Sequence, residues 1–92
     1  MTDITADCTF YENVIGDLKV ITIVTPAAAA TSDTIDLGSD ATSGAMKIKT
    51  ILLTLFQDDL GADKTTTWVP GTGIITLGTI TTGIHNLLVV GI

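Results

Sequence analysis

The chain has 92 residues and a net charge of −6, set by nine Asp and one Glu against four Lys with no Arg, and 46% of its residues are apolar while only 15% are charged. Nucleic-acid phosphates are held by clustered Lys and Arg, so direct DNA or RNA binding is not expected. A single His, Cys and Glu leave little for acid–base or nucleophilic chemistry, and no run approaches the roughly 18 apolar residues that span a membrane as a helix.

Eighteen threonines alternate with Val, Ile and Leu. Two heavy atoms on Cβ stiffen χ1 and suit a pleated, half-buried surface better than a helix. A domain this short buries only about 60–65% of its unfolded surface, which favours association. With so few charges, much of the outside must be Thr, Ser, Gly and Ala, a surface that needs little reorganisation to become an interface.

The start, Met1-Thr2-Asp3-Ile4-Thr5-Ala6-Asp7, is acidic and polar, without the basic and apolar regions of a secretory signal. Synthesis and assembly in the cytoplasm are expected, with residues 1–7 an extended N-terminal arm. Residues 8–15 read as a first strand and 18–25 as a second, joined by Gly16-Asp17 in a type II′ turn where Gly takes the positive φ. Pro26 cannot donate to a ladder and four alanines are too few for a stable helix, so 26–33 is a loop holding at most one helical turn. Thr34-Ile35-Asp36-Leu37 is a short alternating strand, followed by a polar connection over 38–45.

Residues 46–56 alternate in their first half and are apolar on both faces in their second. Helical spacing at Ile48, Ile51, Leu52 and Leu55 is also present, but the β-branched surroundings favour a strand. After a turn over 57–63 come a strand at 64–69, a type II turn at Pro70-Gly71, a strand at 74–81, a turn at Thr82-Gly83 and a last strand at 84–90. The expectation is an all-β, single-domain antiparallel β-sandwich or small β-barrel, jelly-roll-like, of about seven short strands over residues 1–92.

Ile51-Leu52-Leu53 and Leu87-Leu88-Val89-Val90 are apolar on both sides of a strand, so something must cover the second face. A two-layer domain has no third layer, which leaves barrel closure or a neighbouring subunit. The residues expected at such an interface are Ile51, Leu53, Leu55, Trp68, Leu88 and Val90, with Trp68 open to a core role as well.

Other sites are thin. His85 has no partner at a motif spacing and reads as structural. The lone Cys8 reads as an inert, core-facing thiol. Asp58, Asp59 and Asp63 gather three carboxylates in one loop, a weak candidate for a hard cation, since the EF-hand pattern is absent; Asp33, Asp36 and Asp40 have the same spread and the same reading. Gly71-Thr72-Gly73 and Gly78 are hairpin glycines and not a phosphate-binding loop.

Asp17-Leu18-Lys19-Val20-Ile21-Thr22-Ile23-Val24-Thr25-Pro26, then Ser32-Asp33-Thr34-Ile35-Asp36-Leu37, and finally Leu87-Leu88-Val89-Val90-Gly91-Ile92 resemble the small β-rich structural proteins of tailed bacterial or archaeal viruses. In those, a leading Lys-Val strand and an Asp-Thr-Ile-Asp strand recur. The resemblance implies a non-enzymatic virion protein, a head decoration (cement) or minor capsid protein, without cofactor or catalytic residue. It further implies a homo-oligomer, first a trimer, that meets a major capsid or other virion protein. A subunit of a non-viral surface filament or adhesin, or a small ligand- or carbohydrate-binding β-module, are the alternatives.

Overall fold

Antiparallel pairing begins with a hairpin of β1 (Thr9–Ile15) and β2 (Leu18–Val24), whose register runs from Thr9 opposite Val24 to Ile15 opposite Leu18. Gly16 takes φ +60°, and Ser32 is the only non-glycine at positive φ among the described residues, so Asp17 stays negative and the turn is type II′. The computed structural model describes residues 2–38, 48, 50–58, 60–68 and 71–92.

Six further strands follow within those residues: β3 (Thr34–Asp36), β4 (Ile51–Asp58), β5 (Asp63–Lys64), β6 (Thr66–Trp68), β7 (Ile74–Leu77) and β8 (His85–Gly91). They form two antiparallel sheets, one of five strands in the order β1-β2-β8-β4-β5 and one of three in the order β3-β7-β6. The chain is an all-β sandwich of two open sheets. Ile21, Ile23, Phe56, Leu87 and Val89 from the larger sheet meet Ile35, Ile75 and Leu77 from the smaller in one buried cluster.

The expected strand over 46–56 is a strand from Ile51, not a helix. Ile48 is buried outside any strand, its N–H donating to the Leu37 carbonyl at 2.9 Å, and Met46, Lys47 and Lys49 lie outside the described residues. The single strand expected at 64–69 is two pieces, β5 in the large sheet and β6 in the small one, with the chain changing sheets at Thr65. Val69 and Pro70 lie outside the described residues, while Gly71 has the φ of +88° that a type II turn asks of its third residue. The strand expected at 74–81 ends at Leu77. Residues 26–33 form the loop, with turns closed by Ala29 N–H to the Pro26 carbonyl and Asp33 N–H to the Ala30 carbonyl. Of the connection at 38–45, only Gly38 is described.

Residues 2–7 of the expected arm dock on the fold, and Met1 lies outside the described residues. Ile4 N–H donates to the Thr34 carbonyl at 2.9 Å, Thr34 N–H donates to the Thr2 carbonyl at 2.8 Å, and Asp3 bridges Thr34 in parallel. Thr5–Asp7 then make a 3-10 turn. Burial of the Ile4 side chain rewards this docking, and the buried Asp33 carboxylate secures it by accepting from Thr2 and Ala30 N–H groups.

Candidate interaction face

Alternation in β2 sends Ile21 and Ile23 into the core and Val20, Thr22 and Val24 outward. Cross-strand register then assembles the outer face of the larger sheet in rows. Tyr11, Thr22, Leu88 and Leu55 form one row across β1, β2, β8 and β4. Asn13, Val20, Val90 and Leu53 form the next, and Thr9, Val24, Asn86 and Gln57 the one on the other side. Ile15 and Leu18 extend the apolar stripe to the hairpin tip.

This face is open. Tyr11 is 63% exposed, Leu55 57% and Leu53 49%, far beyond scattered surface apolars because they are contiguous. No charged side chain stands on the part spanned by β1, β2, β8 and β4 among the described residues; the first is Asp63 on edge strand β5, which accepts from Gln57 Nε2 at 3.0 Å. A concavity of about 210 Å³ lies in the face, lined by Thr22, Leu55, Gln57, Asn86 and Leu88, with Leu87 beneath. Its lining combines leucine side chains with two amides and a hydroxyl.

Four of the six residues expected at an interface, Leu53, Leu55, Leu88 and Val90, share this face. Ile51 does not: the register slips between Ile51 and Leu53, so Leu52 is the extra residue of a β-bulge and Ile51 points into the core, 4% exposed. Strict alternation had put Ile51 beside Leu53. Trp68 belongs to the smaller sheet, where it pairs with buried Ile75, packs on the core and donates from Nε1 to the Ile51 carbonyl at 3.2 Å. Tyr11, Val20 and Val24 were not singled out by sequence, although the outward set Val20-Thr22-Val24 carries the signal.

The chemically reactive side chains are engaged elsewhere. His85 is buried, its ring 5.5 Å from that of Phe56, and its Nδ1 lies 2.8 Å from the Gly83 carbonyl, which can only accept. Thr25 Oγ1 accepts from His85 N–H at 2.8 Å, fixing the start of β8. Asp58 Oδ1 accepts from the N–H groups of Ala62 and Leu60, and Lys64 Nζ stands 3.9 Å from Oδ2. The Ala62 amide first, then the Leu60 amide and the Lys64 ammonium, hold the Asp58 carboxyl below its usual range against some desolvation.

Asp59 and Asp40 lie outside the described residues, and Asp36 Oδ1 accepts from Gly38 N–H. Among the described residues no three His, Cys, Asp or Glu side chains gather as metal ligands. Cys8 is half-buried, Sγ donating to the Ile4 carbonyl at 3.3 Å. Burial, then the neighbouring Asp7 and Asp3, push its thiol up to about 12. No helix among the described residues is long and apolar enough to cross a membrane.

The chain matches no protein-family model, no curated protein and no solved structure.

Proposed function

We propose that the chain is a non-enzymatic structural subunit of a virion, a capsid decoration or minor capsid protein that associates with itself and with a major capsid protein. The observation that carries this reading is the contiguous apolar outer face spanned by β1, β2, β8 and β4, uncharged among the described residues. Burying such a face returns about 25 cal/mol for each Å² of apolar surface removed from water. A fold that gains rigidity and closes an apolar face by joining neighbours fits a part that stabilises a shell mechanically. The virion placement itself draws on the likeness of the Lys19-Val20 and Asp33-Thr34-Ile35-Asp36 strands to tailed-virus structural proteins.

Two measurements test the proposal. Light scattering of the purified chain at micromolar concentration should give a mass above one copy, and Leu55→Asp should lower it, because a charge in an apolar joint is costly unless paired. A wild-type monomer that stays monomeric on concentration counts against self-association. Mass spectrometry should find the chain in purified virus particles; its recovery only from secreted fractions, with a processed N-terminus, would overturn the viral placement.

A further inference from the structure

The concavity in the outer face has a chemistry that one exposed side chain of the same chain fits. It is lined by Leu55 and Leu88 together with Gln57, Asn86 and Thr22. A phenol needs this combination: apolar contact for the ring and amide or hydroxyl partners for the O–H. Tyr11 is 63% exposed, stands on the same face, and lies in the same cross-strand row as Thr22, Leu88 and Leu55.

Within one copy Tyr11 is on β1 and Leu55 on β4, three strand spacings away at about 4.8 Å each, so Tyr11 stands beside Thr22 at the near edge of its own hollow without lining it. A two-fold axis parallel to the strands, passing above the seam between β2 and β8, exchanges β1 with β4 and β2 with β8 of a second copy. The same operation lays Tyr11 over the partner's Leu55 and Thr22 over its Leu88, and reciprocally. An isologous contact of this kind uses one patch twice, so it has to be self-complementary.

We infer that two copies pack face to face across their five-stranded sheets, with Tyr11 of each seated in the Leu55/Leu88 hollow of the other. The row itself points to a second copy as the occupant, with Tyr11 at one end and Leu88 and Leu55 at the other. A partner with net charge −6 is repelled by every acidic part of the surface, and the β1-β2-β8-β4 face carries no charge among the described residues. Aligned sheets pack about 10 Å apart with inward side chains interdigitating, a gap that a tyrosine spans. The inference rests on the self-association proposed above and names its partner and geometry.

The test combines the mass of three proteins with a cross-link. Wild type should be a dimer or an even multiple, Tyr11→Ala should weaken association about tenfold or more as loss of a central aromatic anchor does, and Tyr11→Phe should fall between them. Tyr11 is exposed, so a far-ultraviolet spectrum equal to wild type will confirm that both variants fold. In a Cys8→Ala background, Asn13→Cys with Leu53→Cys places two thiols in the adjacent row. They lie about 14 Å apart within a copy but only about 10 Å apart across two packed sheets. A bismaleimide long enough for the second gap and too short for the first should therefore give a covalent dimer on a denaturing gel. A wild-type oligomer that is insensitive to Tyr11→Ala and gives no cross-link overturns this geometry while leaving self-association standing. A wild-type monomer, including one that binds only a different virion protein, overturns both.

Discussion

At the scale of single residues, the clearest consequence concerns Cys8. Its thiol is pushed from an ordinary value of 9.0 up to about 12 by burial and by the Asp7 and Asp3 carboxylates, while Sγ donates to the Ile4 carbonyl. The unfolded chain releases that proton above pH 9, whereas the folded chain keeps it until about 12. Unfolding therefore becomes easier as pH rises through that window, because the unfolded state binds fewer protons there than the folded one. Urea unfolding between pH 8 and 10.5 should show stability falling more steeply for wild type than for Cys8→Ala. The same thiol should alkylate slowly with iodoacetamide at pH 8 and quickly once urea is added, since the thiolate is the nucleophile. A fast reaction in native buffer would contradict the buried setting.

At the scale of elements, the bulge in β4 decides which residues reach the outer face. Leu52 is the extra residue between Ile51, paired with Gly91, and Leu53, paired with Val90. Deleting Leu52 brings Ile51 next to Leu53, and plain alternation then keeps Ile51 inward and Leu53 and Leu55 outward, opposite the same partners Gly91, Val90 and Leu88. The deletion gives up no buried side chain, whereas Ile51→Ala gives up one, worth about 2–5 kcal/mol in cores. Ile51→Ala should therefore lower Tm by roughly 8 °C or more in a domain of this size and the deletion by much less; a deletion as damaging as Ile51→Ala would show that β4 needs the bulge to pair with β8. The β1-β2 hairpin was legible because alternation, β-branching and a Gly-first turn agree at one place, and β8 because its apolar run Leu87-Leu88-Val89-Val90 is bounded by Gly83 and Gly91. The bulge was not, because Ile51-Leu52-Leu53 reads equally well in either phase. Nor was the change of sheet at Thr65, which follows from where β4 and β7 lie in space. Tyr11 was missed for a related reason: its neighbours Leu88 and Leu55 depend on the order β2-β8-β4, and no local pattern encodes a non-sequential order.

For the whole molecule, the two sheets turn opposite kinds of surface outward. Threonine and carboxylate dominate the outside of the smaller sheet, where Thr34, Asp36, Thr67 and Thr76 share a face with Ile74. The larger sheet shows leucine, valine, tyrosine and amides. Acidic charge is thus kept off the β1-β2-β8-β4 part of that face, with Asp63 at its β5 edge, yet it still acts through space. The shortest extent of the chain is 21 Å, which sets the scale of the separation between the centres of two stacked copies. Net charges of −6 at that separation repel by roughly 7 kcal/mol in water before screening. The Debye length shrinks from about 30 Å at 0.01 M salt to about 10 Å at 0.1 M, which removes most of that repulsion. Apolar burial is meanwhile almost untouched by salt at these concentrations. Association should accordingly tighten by about tenfold or more between 0.01 and 0.1 M sodium chloride, measured by sedimentation equilibrium on the wild-type chain. A joint held by ion pairs would weaken over the same range, so dissociation on adding salt would rule out the uncharged face as the seam.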